Sequence, residues 1–161
     1  MPLQILGLNH NTAPVEIREQ VAFAGDEVAR ALERLTALDG VDEAVLLSTC
    51  NRTEFYVIGE DAGREHLAQW LHDDRRLGDN FAESLFTLDD EDAIRHIFRV
   101  ACGLDSMVLG EPQILGQLKD AFRYAQQANT LGGNLSRLFQ HTFAVAKKIR
   151  TDTEIGASPV S

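Results

Sequence analysis

The chain has 161 residues, of which 44% are hydrophobic and 25% are charged, a composition typical of a soluble protein with a core of its own. Its two cysteines are too few for a disulfide framework, no apolar stretch approaches membrane-spanning length, and the first residues lack the features of a signal peptide. These features argue against a disulfide-rich secreted protein and a membrane protein, and they favour a cytoplasmic location.

The net charge of −10 argues against a nucleic-acid binder when the chain is taken whole. The charge is unevenly distributed, however: residues 1–94 carry 7 Lys/Arg against 20 Asp/Glu, and residues 95–161 carry 8 against 5. The acidic excess of the first part is explained most simply as a solvated surface. A polyanion is expected to contact a subset of the basic residues in the second part: Arg95, Arg99, Lys119, Arg123, Arg137, Lys147, Lys148 and Arg150.

The first ninety residues mix strand and helix patterns. Strands are predicted at 3–9, 45–47, 55–58 and 84–88, and helices at 14–23, 26–38 and 61–72. This order predicts an α+β fold, in which a small, mostly antiparallel sheet carries helices on one face. From residue 89 only helix patterns remain, so we divide the chain into an α/β sandwich part (1–88), a helical part (89–150) and the start of a linker (151–161).

A cysteine stands between two of the predicted strands, in the stretch VLLSTCNRTEFYVIG (45–59). The residues around Cys50 are small and polar, which predicts a turn and places the thiol at a strand end. Arg52 follows two residues later, and a cation beside a thiol favours the nucleophilic thiolate. The alternative is a half-buried structural cysteine.

A second polar cluster lies in GLDSMVLGEPQILGQLKDA (103–121). Gln113 and Gln117 are four residues apart and so share one helix face, with Glu111 and Pro112 at the predicted start of the helix. Ser106 lies in the loop before it. A good helix start would explain Glu111 and Pro112 but not the paired glutamines, so this face is predicted to line a small-molecule site.

Together the two stretches resemble the glutamyl-tRNA reductase family, and the resemblance runs from GLNHNTAPVEIRE to RTDTEIGASPVS. It implies that residues 1–150 are the N-terminal catalytic domain and that Cys50 attacks the aminoacyl ester of glutamyl-tRNA. The resulting thioester is reduced by NADPH to glutamate-1-semialdehyde, the first step of five-carbon tetrapyrrole biosynthesis. No GxGxxG follows a strand, so NADPH is expected to be bound by a domain missing from this chain.

The resemblance also implies a set of site residues. His96 is expected to support catalysis as an acid or base. The substrate-binding residues are Thr49, Asn51, Arg52, Ser106, Glu111, Pro112, Gln113 and Gln117. From charge alone we infer that Arg52 grips the substrate γ-carboxylate and that Glu111 complements its α-ammonium group.

Two further partners are implied for the full-length enzyme, a second copy in a homodimer and glutamate-1-semialdehyde aminomutase, which would receive the product. The cysteine and histidine spacing predicts no metal site. Two other interpretations remain open from the residues alone. One is a cysteine-dependent acyltransferase or hydrolase, and the other is a non-catalytic interaction domain with a structural or redox-sensing cysteine.

Overall fold

A four-stranded sheet organises the protein. The computed structural model describes residues 2–106 and 113–153. Its strands are β1 (Leu3–Asn9), β2 (Val41–Ser48), β3 (Arg52–Gly59) and β4 (Phe86–Asp89), arranged in the order β2-β3-β1-β4. Every neighbouring pair is antiparallel, which confirms the predicted sheet.

Within the described residues, six α-helices accompany the sheet. They are α1 (Val15–Val21), α2 (Gly25–Thr36), α3 (Asp61–Arg75), α4 (Asp90–Ala101), α5 (Gln113–Gln127) and α6 (Gly133–Thr153). An acidic first turn in α4 complements the positive end of its helix dipole. In the described ranges, none of the helices is long and apolar enough to cross a bilayer.

The side chains of β3 show how the helices are divided between the two faces of the sheet. Phe55 packs edge-to-face against Phe23 and against Trp70 of α3. The next residue, Tyr56, packs against Phe139 of α6. Because successive strand residues point to opposite faces, α3 covers one face and α6 the other. The prediction of helices on one face therefore holds for the first part of the chain, and the helical part packs on the opposite face.

The connection between α5 and α6 is fastened to the edge strand β2. The buried Glu43 carboxylate accepts hydrogen bonds from the backbone N–H groups of Gly132 (2.7 Å) and Leu135 (2.9 Å). A Cβ on Gly132 would lie 2.6 Å from the Glu43 carboxyl carbon, so any larger residue there would have to displace this carboxylate. Thr130 also bonds to Ala44, donating from its hydroxyl and accepting at its carbonyl oxygen, both at 2.9 Å. These contacts join the helical part to the sheet.

Candidate active site

Cys50 lies at the tip of the β2–β3 hairpin. Only residues 49–51 connect the two strands, and the Thr49 hydroxyl accepts hydrogen bonds from the backbone N–H groups of Asn51 (3.1 Å) and Arg52 (3.2 Å). The Thr49 N–H donates in turn to the Arg52 carbonyl oxygen at 2.8 Å. This compact turn leaves the Cys50 thiol exposed, whereas Cys102 is buried. The sequence prediction of a thiol at a strand end is confirmed.

Contacts from α1 and from the segment between α1 and α2 hold the hairpin in place. The Ser48 hydroxyl lies 3.1 Å from the Thr53 hydroxyl across the hairpin and accepts the Phe23 backbone N–H at 2.9 Å. On the other side of the turn, an Arg18 N–H donates to the Asn51 side-chain oxygen at 3.3 Å. The position of the thiol is therefore fixed from both sides of the loop.

A cleft opens beside Cys50, between the hairpin tip and the start of α5. Besides the thiol, its lining comprises Thr49, Asn51, Arg52, Ser106, Gln113, Ile114 and Gln117. Six of the eight predicted substrate-binding residues thus meet around the predicted nucleophile. The other two, Glu111 and Pro112, lie outside the described residues.

Arg52 lines this cleft, but it is not an isolated cation. Its side chain is only 2% exposed, and Nη1 donates to Glu54 at 2.9 Å and to the Asp105 carboxylate at 3.0 Å. Nη2 donates to the Asp105 carbonyl oxygen at 2.6 Å. Three of the five guanidinium N–H bonds are thereby used inside the protein. Since Asp105 precedes Ser106, Arg52 also fixes the loop that brings Ser106 to the cleft.

Glu54 is the centre of the buried polar cluster behind the cleft. Its side chain is fully buried, and beyond Arg52 it contacts His96 Nε2 at 2.8 Å and accepts the Tyr56 hydroxyl at 2.5 Å. Burial alone would raise the pKa of Glu54, but the hydrogen bond and charge of His96 and the charge of Arg52 outweigh it, so the pKa lies below 4.5. Burial and the neighbouring Glu54 carboxylate raise the pKa of Tyr56 well above 10.0.

His96 reaches this cluster from α4. Its ring packs edge-on against Phe86, and its side chain is 11% exposed. An ionised Glu54 can only accept, so Nε2 must carry the proton that it shares with the carboxylate, and Nδ1 is the nitrogen left to exchange protons. His96 does not line the cleft around Cys50 but is linked to Arg52 through Glu54. Its acid/base role stays a prediction.

His10 is a further titratable group close to the cluster. It directly follows Asn9, which pairs with Arg52 in the sheet register, and its buried Nδ1 has no hydrogen-bond partner among the described residues. Burial, and then the charge of Arg52, lower the pKa of His10, with Asp105 opposing them. His10 is therefore favoured in its neutral form.

Sequence reasoning missed Glu54 and Asp105 as members of this cluster. The signal for Glu54 was present: it lies two residues after Arg52, so both side chains point to the same face of β3. An acid and a base at that spacing in an otherwise buried strand indicate an internal ion pair. Asp105 gave no comparable signal, because its contact with Arg52 spans 53 positions of the chain.

The comparisons with known proteins agree with this geometry. The family model described as "Glutamyl-tRNAGlu reductase, N-terminal domain" matches residues 6–153. The chain belongs to this family. Such membership confirms the resemblance inferred from the two motifs, and it does not favour a non-catalytic interaction domain.

Individual relatives carry the same name. The chain is 57% identical over its full length to a glutamyl-tRNA reductase of Xanthomonas campestris pv. phaseoli, and it covers 37% of that protein. It is also 57% identical to a glutamyl-tRNA reductase of Stenotrophomonas maltophilia (strain K279a), of which it covers 36%. The solved structure of glutamyl-tRNA reductase from Methanopyrus kandleri aligns with a TM-score of 0.83 and 34% identity, over 99% of this chain and 37% of that one. The chain thus spans little more than a third of the length of these relatives.

The described residues do not fit a dinucleotide cofactor of the usual kind. A Rossmann-type site needs parallel strands joined by a helix, and all strand pairs within residues 2–106 and 113–153 are antiparallel. The same ranges contain no cluster of three or more His, Cys, Asp or Glu side chains placed to hold a metal ion.

Proposed function

We propose that this chain performs the acyl-transfer half of the glutamyl-tRNA reductase reaction, with Cys50 as the nucleophile. The observation that carries the proposal is the exposed thiol at the hairpin tip, in a cleft lined by hydroxyl and amide side chains, in a member of this family. Hydroxyl and amide side chains can form hydrogen bonds with the carboxylate, the ammonium group and the carbonyl oxygen of a glutamyl group.

The proposed step exchanges an oxygen ester for a thioester. The Cys50 sulfur forms a bond to the ester carbonyl carbon of glutamyl-tRNA, and the bond from that carbon to the ribose oxygen breaks. The thiol gives up its proton, and the departing ribose oxygen gains one, so the products are the acyl-enzyme and tRNA with a free hydroxyl. We assign a supporting acid/base role in this step to His96, which lies behind the cleft and is linked to Arg52 through Glu54.

The glutamyl group is proposed to bind through the remaining polar groups of the cleft. Gln113 and Gln117 offer amide donors and acceptors, and Ser106 offers a hydroxyl. Arg52 has two N–H bonds beyond those used by Glu54 and Asp105, and these are proposed to reach the γ-carboxylate. The pairing of Glu111 with the α-ammonium group stays a prediction.

The second half of the reaction is proposed for the longer enzyme. There, NADPH supplies the hydride that converts the thioester to glutamate-1-semialdehyde, in the first step of five-carbon tetrapyrrole biosynthesis. Since the described residues do not fit a dinucleotide, we assign NADPH binding to another part of that enzyme. We also propose for it a homodimer, transfer of product to glutamate-1-semialdehyde aminomutase and a cytoplasmic location.

The decisive experiment detects the acyl-enzyme directly. The chain is mixed with glutamyl-tRNA, quenched in acid and analysed by mass spectrometry, and a glutamyl mass increase is expected on the peptide that contains Cys50. The nearly isosteric Cys50→Ser variant should show no thioester. Cys102→Ser is the matched control, because Cys102 is buried away from the cleft, and it should be labelled like the wild type. Undiminished labelling of Cys50→Ser would contradict the proposal.

A further inference from the structure

A second cleft adjoins the one around Cys50 and shares Gln117 with it. It lies between the start of α2 and one face of α5, over the end of β2, and has a volume of about 200 Å³. We call it the Tyr124 cleft and define it by Gly25, Val28, Leu46, Gln117, Asp120 and Tyr124, all of which line it. It therefore offers apolar, aromatic and acidic surface next to the polar site of the nucleophile.

The two clefts follow one face of α5. Gln113 and Gln117 line the Cys50 cleft, and Gln117, Asp120 and Tyr124 line the Tyr124 cleft. Their spacings of four, three and four residues place them in one row along the helix. At ~1.5 Å per residue, the row extends roughly 16 Å from Gln113 to Tyr124. A substrate whose acyl group lies at Cys50 can thus extend along α5 to the aromatic ring.

We propose that the Tyr124 cleft binds the 3′-terminal adenosine of glutamyl-tRNA. This inference rests on the proposed function, because the ester oxygen attacked at Cys50 belongs to that nucleoside. While the acyl carbon is at the thiol, the ribose is one bond away and its base must lie in adjoining space. The shared residue Gln117 marks the place where the two clefts join.

The chemistry of the Tyr124 cleft suits a purine nucleoside. The Tyr124 ring offers a flat surface on which a base can stack, and Val28 and Leu46 add apolar contact. The Asp120 carboxylate can accept hydrogen bonds from a ribose hydroxyl or from the adenine amino group. Arg123 Nη1 lies 3.0 Å from Asp120 Oδ1, and the Arg123 guanidinium carbon lies 5.6 Å from the centre of the Tyr124 ring, so a cation that could attract a phosphate borders the cleft.

Gly25→Leu tests the assignment by filling the cleft. A Cβ at Gly25 would meet only the Tyr124 hydroxyl, at 3.8 Å, so the new side chain has room to enter the cleft without disturbing the backbone. Gly78→Leu is the matched control, because a Cβ there has no atom within 4 Å and Gly78 does not line the cleft. Tyr124→Ala removes the stacking surface by a second, independent change.

The assay compares two acyl donors in the absence of NADPH. One is the 2′(3′)-glutamyl ester of adenosine, and the other is the glutamyl ester of ethylene glycol, which keeps a vicinal hydroxyl but lacks the base. The measured quantity is the ratio of their kcat/KM values for thioester formation on Cys50, followed by mass spectrometry. The wild type should prefer the adenosine ester. Gly25→Leu and Tyr124→Ala should each reduce that preference by roughly 5- to 150-fold, the range for loss of a base–aromatic stack.

The results separate the two proposals. Two results would overturn the adenosine assignment and leave Cys50 as the nucleophile. One is a Gly25→Leu variant that prefers the adenosine ester as strongly as the wild type and Gly78→Leu do. The other is a wild type that does not prefer the adenosine ester. If the wild type forms no thioester with either ester or with glutamyl-tRNA, the proposed function is refuted, and the adenosine assignment is refuted with it.

Discussion

Replacing Glu54 by glutamine is expected to destabilise the protein although the two side chains have nearly the same shape. The Glu54 carboxylate accepts hydrogen bonds from Arg52, His96 and Tyr56, three donors that converge on two oxygens. A glutamine amide has one acceptor oxygen and one NH₂ group, so with its oxygen toward Arg52 and His96 its NH₂ would face the Tyr56 hydroxyl, which would have to accept instead of donate. The negative charge opposite Arg52 would also disappear.

The size of the effect follows from burial. Removing one partner of a buried ion pair costs about 3–5 kcal/mol, because the other charge is left uncompensated. Arg52 keeps Asp105 as a second carboxylate at 3.0 Å, which lowers the expected loss for Glu54→Gln to about 2–3 kcal/mol. Glu83→Gln is the matched control, since Glu83 is exposed and a surface substitution of this kind should change the free energy of unfolding by less than about 0.5 kcal/mol.

The pH dependence gives a second, more specific readout. The pKa of Glu54 in the folded protein lies below its ordinary value of 4.5, so its ionised form stabilises the fold above that pH. This contribution is lost as the pH falls through the folded-state pKa. Urea unfolding of wild type and Glu54→Gln should therefore differ most near neutral pH, and the difference should shrink below about pH 4.5. Equal stability at pH 7, or a difference that is constant down to low pH, would refute the assignment of an ionised Glu54.

Four further outcomes are expected. Arg52→Lys should lose roughly 2–5 kcal/mol of transition-state binding, because an ammonium group cannot hold Asp105 and a substrate carboxylate together. Acylation of this variant by glutamyl-tRNA and by glutaminyl-tRNA should become similarly slow, and a retained preference for glutamyl-tRNA would assign recognition of the γ-carboxylate to another residue. Charge reversal at Lys147 and Lys148, both exposed on α6, should weaken tRNA binding and flatten its salt dependence, while an unchanged slope would locate the contacts elsewhere. Glu43→Ala should lower the free energy of unfolding by about 2–4 kcal/mol in urea titrations, because it leaves two backbone N–H groups without their acceptor. A loss below about 0.5 kcal/mol would contradict this prediction. Supplied with glutamyl-tRNA and NADPH, the 161-residue chain should release tRNA in a burst and then slowly form free glutamate, and any glutamate-1-semialdehyde would show that it reduces the thioester by itself.

Local features of the sequence predicted the hairpin that presents Cys50. Two apolar runs separated by small polar residues define its strands and its turn, and the structure has β2 and β3 at these places. The helix face of Gln113 and Gln117 was likewise visible, because helix periodicity places residues four apart side by side. Both predictions depended on neighbours in the sequence only.

Features that depend on weak local signals or on distant contacts were not predicted. A 3₁₀ helix (Asp79–Ser84) lies between α3 and β4 and was not predicted, because such short turns have no apolar period to detect. Helix α3 continues to Arg75 rather than ending near residue 72, and it stops where Arg76 adopts a left-handed conformation (φ 51°) with no glycine to indicate it. The contact of Asp105 with Arg52 joins positions 53 residues apart, so no local pattern could indicate it.

The contacts of Glu43 and Thr130 with their partners also bear on how the chain is made. β2 is an edge strand, and the residues that cover its beginning follow it by 86 and 89 positions along the chain. All four strands are available once residue 89 has been synthesised, but the outer edge of β2 then still lacks its cover. An uncovered edge can pair with a strand of another chain, which is a route to aggregation. The turn between α5 and α6 therefore ends the interval during which the β2 edge is open to a strand of another nascent chain.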